Sequence, residues 1–347
     1  MLLEHKAVPD NLIEKITLGA DPEFILWDTA TKRLVAANTV IPGALIGKLG
    51  YDEHGTQAEV RPDPSCHPTN VMLNIRDLLH CPQAKAVNHL AWYAGNGAAG
   101  EVTGGHIHLG VLGLSGAGPM KIQIKPRDFG MLLSYLLVPV AFMLSTNKAL
   151  DGRKGVSEGL DHRDGARQDG QAGRYGFLGD VRAQTYGLEY RTLPSWLYSP
   201  ATTRFFLRST KALAIELARK NIDYSSCGSI AFADFLYYQK AETIRSYFAK
   251  QVPVCLDYLA QLPYNKGNKE FESDATEVFK MIQDGTTWDE VDFKGNWAGK
   301  LDARQEEPKS STPVPPKIDW EHLPPISDEI INSGEDWEIF PEVRRAR

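Results

Sequence analysis

The sequence predicts an α+β fold, and three observations support this class. Short strand-like segments rich in β-branched and aromatic residues end at glycines and prolines. Longer segments carry apolar residues at the spacing of a helix. The chain has no Walker P-loop. Any nucleotide must therefore be bound by a fold other than that of the P-loop proteins.

Four segments are expected to be strands, each bounded by glycine or proline. They are residues 17–28, "TQAEVRP" at 56–62, "GGHIHLGVLGL" at 104–114 and "TYGLEYRTLPSW" at 185–196. Gly19 opens the first strand, and Pro62 and Pro64 stop the second.

Helices are predicted where apolar residues recur every three or four positions. In "PTNVMLNIRDLLHC" at 68–81, Thr69 or Asn70 is the expected N-cap. The strongest apolar run lies at 129–144, in a helix expected at 129–146; it contains Pro139 and is shorter than the roughly 20 residues that span a bilayer. We expect a buried helix there and no membrane role. Further helices are expected at about 200–220, 230–250 and 273–284.

Charge and cysteine content restrict the classes of function. The 347 residues carry a formal net charge of −6, and residues 302–347 hold 6 Lys/Arg against 11 Asp/Glu. The rest of the chain is therefore close to neutral and offers no basic surface for nucleic acid. The four cysteines form no CxxC pair, and the first residues carry charges too early for a signal peptide. Reduced thiols in a cytoplasm are the expectation.

Two regions differ in composition from the rest. Residues 151–180 contain eight glycines and few apolar side chains, which is typical of a functional lid or an insertion. Residues 301–347 are rich in proline and acidic residues, and they repeat the pattern DWE-x-x-P at 319–324 and 336–341. We expect a largely disordered tail. Its two tryptophan segments reflect either chance or docking on a partner protein or a neighbouring subunit.

Polar residues stand two apart in each predicted strand, and such residues share one face of a strand. The pairs are Asp21 with Glu23, Glu59 with Arg61, His106 with His108, and Glu189 with Arg191. Their apolar surroundings imply partial burial, which is costly unless the charges are paired or bind an ion. We expect all four pairs on one sheet face. Carboxylates with imidazole suit Mg²⁺ or Mn²⁺, and arginines suit phosphate, so the set indicates phosphoryl transfer from a nucleotide.

Each pair also has a simple structural explanation when taken alone. A Glu-x-Arg is commonly a cross-strand ion pair, and a His-x-His without cysteine companions is more often structural than a zinc site. The recurrence of four pairs favours a shared site.

The motifs together resemble a known family. "GADPEFILWD" resembles the G-x-E-x-E-F strand of glutamine synthetases and glutamate–cysteine ligases. "GGHIHLG" is similar to their H-x-H strand, "LEYRTLPS" to their E-[FYV]-R strand, and "GTQAEVRP" fits their intermediate metal-binding glutamate. In this order the set most resembles the phage-associated carboxylate–amine ligases of type 2, over about residues 17–250.

The resemblance implies a glutamine-synthetase-like fold, in which helices pack on the outer face of a curved antiparallel sheet. Together with the change in composition near residue 301, it divides the chain into an N-terminal segment at 1–16, an amidoligase catalytic domain at 17–300 and the tail at 301–347, which lies outside the resemblance. It also implies ATP and two Mg²⁺ or Mn²⁺ ions as cofactors. If the chain is phage-encoded, its location would be the host cytoplasm.

Metal ligands follow residue by residue from the resemblance. Asp21, His106 and Glu189 would hold one ion at the ATP phosphates, and Glu23 and Glu59 would hold a second near the acceptor carboxylate. Asp21 stands where glutamine synthetases carry glutamate. A third ligand for the second ion is not evident, with Asp52 or Glu53 as candidates, so the number of ions stays open.

The remaining assignments concern phosphate and substrate. Arg191 would contact the transferring phosphoryl group, and His108 a phosphate or the nucleotide. Gly104 and Gly105 would leave room for the nucleotide at the backbone. The catalytic set is Arg191, Arg61 and Glu59. The expected ligands of the substrate anion are Arg61 and, in the loop, Arg163, Arg167 and Arg174.

The implied reaction joins a carboxylate to an amine. ATP would phosphorylate the carboxylate to an acyl phosphate, which the amine attacks with release of phosphate, and the 151–180 loop would shield this intermediate from water. The substrates would be small-molecule or peptide amines and carboxylates, and a homo-oligomer is compatible with this chemistry. Alternatives are a small-molecule phosphotransferase of the same fold, a metallohydrolase built on His-x-His, and a non-catalytic phage binding or structural protein.

Overall fold

The computed structural model describes residues 13–41, 48–52, 54–98, 101–113, 124–146, 179–219, 241–299 and 303–308. The strands are β1 Ile16–Ala20, β2 Glu23–Asp28, β3 Arg33–Val35, β4 Leu49–Tyr51, β5 Ala58–Val60, β6 Ala91–Tyr93, β7 Ile107–Val111, β8 Val181–Gln184 and β9 Gly187–Tyr190. The helices are α1 Ala37–Val40, α2 Pro68–Leu79, α3 Pro82–Ala86, α4 Pro126–Met143, α5 Pro200–Arg219, α6 Ala241–Gln261 and α7 Lys269–Gln283, followed by a 3₁₀ turn at Lys294–Trp297.

The strands form two antiparallel sheets. The first has the order β1-β7-β9-β8, and the second has the order β3-β2-β5-β4, with β6 also paired to β2. The expected strand at 17–28 is in fact two strands, because Asp21 and Pro22 separate β1 from β2 and the chain passes there from the first sheet to the second. The expectation that all four polar pairs lie on one sheet is therefore wrong.

One face of the first sheet is apolar and covered by helices. Leu18, Leu109 and Leu188 lie side by side in register across β1, β7 and β9, and all three are buried. Helices α2 and α5 pack against β1, and α4 packs against β8. The α+β class with helices on one face of an antiparallel sheet is confirmed.

Helix α5 is the central helix of the described core. Every residue from Ala201 to Ala218 is buried, and the helix packs against α2, α4 and α7. Among its polar residues, Arg204 is paired through its guanidinium, which donates to both carboxylate oxygens of Asp274 at 2.7 and 2.9 Å. Helices α2, α4 and α5 thus pack on one face of the first sheet. The polar residues lie on the opposite face.

The predicted helices are found where the structure describes them, some with shifted ends, and residues 230–240 of the helix expected at 230–250 lie outside the described residues. Helix α2 begins at Pro68 with His67 in the N-cap position and no side-chain cap, so the expectation of a Thr69 or Asn70 cap is wrong. The buried apolar helix is α4, and no helix in the described part of the chain is long and apolar enough to cross a membrane. Residues 151–178, with Arg163, Arg167 and Arg174, lie outside the described residues, as do 309–347 with both DWE segments.

Candidate active site

A row of polar residues crosses the uncovered face of the first sheet. In register, Gly19 of β1 faces His108 of β7, His108 faces Glu189 of β9, and Glu189 faces Arg182 of β8. Each of Gly19, His108 and Glu189 is the chain neighbour of a residue in the leucine row. The two rows therefore lie on opposite faces of the sheet, because alternate residues of a strand point to opposite faces. The sequence pattern of residues two apart therefore produces one polar strip across three neighbouring strands.

Asp21, His106 and Glu189 converge at one end of this strip. They lie where β1 ends, where β7 begins and within β9. One ligand atom from each lies within 4.8 Å of the others. His106 Nδ1 is 3.1 Å from Asp21 Oδ1 and 3.6 Å from Glu189 Oε1. These are the three residues that the resemblance assigns to the first metal ion.

The chemistry of this group fits a divalent cation. The Oδ1 atom of Asp21 is buried and has no hydrogen-bond partner within the described residues, although His106 Nδ1 is close. A buried carboxylate oxygen without a hydrogen bond is costly, and a metal ion would satisfy it. Two carboxylates and one imidazole are ligands that suit Mg²⁺ or Mn²⁺.

His108 is positioned between Asp21 and Tyr186. Its Nε2 lies 3.2 Å from Asp21 Oδ2, and its ring stacks on that of Tyr186 with 5.3 Å between centroids. Burial lowers the pKa of His108, but the Asp21 and Glu189 carboxylates together outweigh burial and raise the pKa above its usual value. The ring is thus biased towards its cationic form, in which both nitrogens are donors.

Glu189 is held by a set of donors that the sequence reasoning missed. Arg182 Nε and Nη2 donate to its two oxygens at 2.8 and 2.9 Å, and Gln184 Nε2 donates to Oε2. Arg191, which was predicted, places Nε 3.4 Å from Glu189 Oε1. Arg182, Gln184 and Tyr186 stand two apart in "VRAQTY", so the same spacing rule could have found them.

Glu23 and Glu59 form a second acidic pair on the second sheet. They face each other across β2 and β5, and the Arg61 guanidinium donates to Glu59 and to the Tyr51 carbonyl. Glu23 joins the sheets, because its N–H donates to the Gly104 carbonyl at 2.9 Å and its carboxylate accepts from the Gly104 N–H at 2.6 Å.

The two acidic groups influence one another electrostatically. Burial raises the pKa of Glu59 well above its usual range, and the Asp21 and Glu23 carboxylates add to this while Arg61 opposes it. Burial also raises the pKa of Glu23. The pKa of Asp21, in contrast, is held well below its usual value because His108 and His106 overcome the effect of burial. Asp21 is therefore the ionised centre of the site.

The described residues contain one three-ligand group, and a second group of that size is not assembled around Glu23 and Glu59. Asp52, a candidate third ligand, accepts from the N–H groups of Gln57 and His54 and so closes the turn before β5. Glu53 lies outside the described residues. A second ion at Glu23 and Glu59 stays a prediction.

The two glycines before His106 have a packing role. A Cβ on Gly105 would lie 2.3 Å from the Pro194 carbonyl oxygen and 2.7 Å from the Trp196 indole, whose Nε1 donates to the Gly105 carbonyl. Gly104 is bonded to Glu23 as described above. These contacts within the chain explain the missing Cβ of Gly105. Contact of either glycine with a nucleotide stays a prediction.

Comparison with solved structures finds distant similarities. The bifunctional glutathione synthetase from Pasteurella multocida has 11% sequence identity and a TM-score of 0.40, over 82% of this chain and 48% of that chain. The ligase PafA, in complex with the prokaryotic ubiquitin-like protein Pup, has 12% identity and a TM-score of 0.39, over 83% of this chain and 67% of that chain. This chain thus spans about half the length of the glutathione synthetase. Neither similarity is close enough to assign a substrate.

A comparison with family models shows which family this chain belongs to. Among curated proteins there is no match to this chain. A family model matches residues 18–298, a range that covers both sheets except the first two residues of β1 and contains the group of Asp21, His106 and Glu189. The chain therefore belongs to the phage phiEco32-like COOH.NH2 ligase type 2 family.

Proposed function

We propose that this protein is an ATP- and Mg²⁺-dependent carboxylate–amine ligase that forms an amide bond through an acyl phosphate. The observation that carries the proposal is the convergence of Asp21, His106 and Glu189 within 4.8 Å on the polar face of the sheet. Membership of a carboxylate–amine ligase family supports it. The proposed substrates are an amine and a carboxylate, either free or within a peptide.

The acidic residues of the site have two proposed tasks. A divalent cation bound by Asp21, His106 and Glu189 would neutralise the phosphates of ATP. Glu23 and Glu59, which face each other on β2 and β5 of the second sheet, would contribute to a second cation site. The raised pKa values of these two glutamates show how unfavourable their negative charges are in this buried setting, and a cation would relieve that cost.

The basic residues would act on the anions of the reaction. His108, biased towards its cationic form by Asp21, would donate a hydrogen bond to a phosphate oxygen. Arg191, beside Glu189, would stabilise the charge that develops on the transferred phosphoryl group. Arg61, which is partly exposed and fixed by Glu59 and Tyr51, would bind the acceptor carboxylate.

A phosphate-release screen tests this proposal. The full chain is incubated with ATP, Mg²⁺ and a library of amines and carboxylates, and products are identified by mass spectrometry. A ligase gives ADP, free phosphate and an amide, whereas a phosphotransferase gives ADP and a phosphorylated product without free phosphate. Metal-dependent hydrolysis that needs no ATP would contradict both.

A matched pair of variants links any activity to the site. Glu189→Gln removes the charge of a candidate metal ligand, and we expect it to lower turnover by at least about a hundredfold. Glu242→Gln makes the same change at an exposed position of α6 and should leave turnover unaltered. Equal rates in the two variants would refute the metal assignment.

A further inference from the structure

Residues 303–308 pack against the start of α2, although they follow the main domain in sequence. The Asn70 side chain accepts from the Gln305 N–H and donates to the Gln305 carbonyl, both at 2.8 Å. It thus pairs with both backbone groups of Gln305, as a neighbouring strand would do. The His67 ring contacts the Glu306 carbonyl through Nε2 at 2.7 Å.

The Glu307 carboxylate occupies the centre of this contact. It accepts from the Ser65 hydroxyl, from the Cys66 N–H at 3.0 Å and from Asn70 Nδ2 at 2.9 Å. Helix α2 begins just beyond, with no side-chain cap, and the N-terminus of a helix favours a negative charge. These hydrogen bonds outweigh the effect of burial and lower the pKa of Glu307. The site is therefore built for a carboxylate within a peptide segment.

The loop that receives Glu307 leads directly to the candidate active site. Ser65 pairs with Leu18 of β1 through two backbone hydrogen bonds of 2.8 and 2.9 Å. Pro64 lies beside the polar strip, because a Cβ added to Gly19 would be 3.7 Å from the Pro64 Cβ and 3.4 Å from that of His108. Arg61, at the other end of the loop, contacts Glu59.

The loop is short and stiff. Pro62 and Pro64 restrict the backbone of residues 61–65. The Asn74 side chain donates to the Asp63 carbonyl, and the Arg61 N–H donates to the Lys48 carbonyl at 2.7 Å. A displacement at Ser65 would therefore reach Arg61 rather than be absorbed by the intervening residues.

We propose that residues 303–308 are an intramolecular clasp whose Glu307 fixes the 61–66 loop and so positions Arg61 at the candidate active site. The role of Arg61 towards a carboxylate rests on the proposed function, whereas the fixing of the loop does not. Glu307 is thus a positioning residue. It acts through Ser65 and Cys66 and contacts no substrate.

The test uses the full chain with Glu307→Ala and Glu307→Gln, and with Glu306→Gln as the matched control. Glu306 is the adjacent glutamate and is exposed like Glu307, and its backbone carbonyl makes the contact with His67. Amide hydrogen exchange is measured at Ser65 and Arg61. We expect Glu307→Ala to raise both exchange rates by about tenfold. Glu307→Gln keeps an acceptor oxygen and should be intermediate, and Glu306→Gln should match the wild type.

Kinetics then separate positioning from a purely structural contact. If the ligase activity is found, Glu307→Ala should raise the KM of the carboxylate about tenfold, with the KM of ATP and kcat within about twofold. Unchanged exchange at Arg61 would overturn the clasp, and so would altered exchange with an unaltered carboxylate KM. A wild-type chain that forms no amide would count against the proposed function. Amide hydrogen exchange at Arg61 would still test the clasp, because this measurement does not depend on turnover.

Discussion

Arg182 and Glu189 face each other on neighbouring strands, and the Arg182 guanidinium donates to both oxygens of the Glu189 carboxylate. The Glu189 side chain is 1% exposed and that of Arg182 is 51% exposed, so a solvent-facing cation compensates a buried anion. A buried carboxylate without such a partner would be costly. Arg182 therefore fixes a candidate metal ligand in the orientation that also faces His106 and Asp21.

We predict that Arg182→Gln lowers phosphate release by about a hundredfold. The variant keeps an amide donor but loses the charge and the two-pronged contact, so Glu189 is less well oriented. Turnover is measured with the substrates found in the product screen. Arg33→Gln, at an exposed position on β3, is the control and should behave as the wild type. Equal turnover in both variants would show that Glu189 needs no support from Arg182.

A second prediction concerns metal affinity. Asp21→Asn should weaken Mn²⁺ binding by at least about a hundredfold, because Asp21 Oδ1 is the buried oxygen that a cation would satisfy. Binding is measured by calorimetry on the chain without nucleotide, so that the result does not depend on turnover. Asp28→Asn is the control, since Asp28 is bound to the turn at Ala30 and Thr31. Equal Mn²⁺ affinities in the two variants would exclude Asp21 as a ligand.

The third prediction tests the ring stack at His108. Tyr186→Phe keeps a ring against His108 and should retain turnover within about twofold. Tyr186→Ala removes the ring, lets the imidazole rotate away from Asp21, and should lower turnover about tenfold. If the phenylalanine variant loses as much activity as the alanine variant, the Tyr186 hydroxyl matters rather than the stack.

Much of this site was accessible from the sequence because strand geometry is strictly alternating. His106 and Glu189 were identified with Asp21 from polar residues two apart within apolar segments. Arg182 and Gln184 follow the same rule, but they border the glycine-rich loop 151–180 and lie in a segment with few apolar residues, so the strand was not recognised. The other strands were predicted from the apolar residues that flank their polar pairs. In β8 the two central residues are exposed, so this pattern is absent.

Other features depend on contacts that no local pattern encodes. The passage between sheets at Asp21 and Pro22 was missed because the apolar residues on both sides of this pair suggest a single strand over 17–28. The docking of Glu307 at Ser65 joins residues 242 positions apart, and the local composition of 301–347 indicated a disordered tail. Such long-range contacts are decided by tertiary packing and not by propensity.

A fourth prediction separates packing from ligand binding at Gly105. Gly105→Ala would place a methyl group against the Pro194 carbonyl and the Trp196 indole, and such overpacking typically costs about 1–3 kcal/mol. The free energy of unfolding is measured with a denaturant. Gly295→Ala is the control, because a Cβ there meets no atom within 4 Å. Unchanged stability in Gly105→Ala would mean that the missing Cβ serves another purpose, such as nucleotide approach.

The last prediction concerns pH. Asp289 is buried and accepts from the N–H groups of Asn96 and Thr146, both at 2.6 Å. Burial nevertheless raises its pKa to about 6 from the ordinary aspartate value of 3.8. Because the folded state holds this proton more tightly than the unfolded chain, the stabilising contribution is complete below about pH 4 and is lost as pH rises through about 6. The stability of the wild type relative to Asp289→Asn should therefore fall by up to about 3 kcal/mol over this interval. Denaturant unfolding at several pH values measures this difference, and parallel curves for the two proteins would show that the Asp289 pKa is not raised.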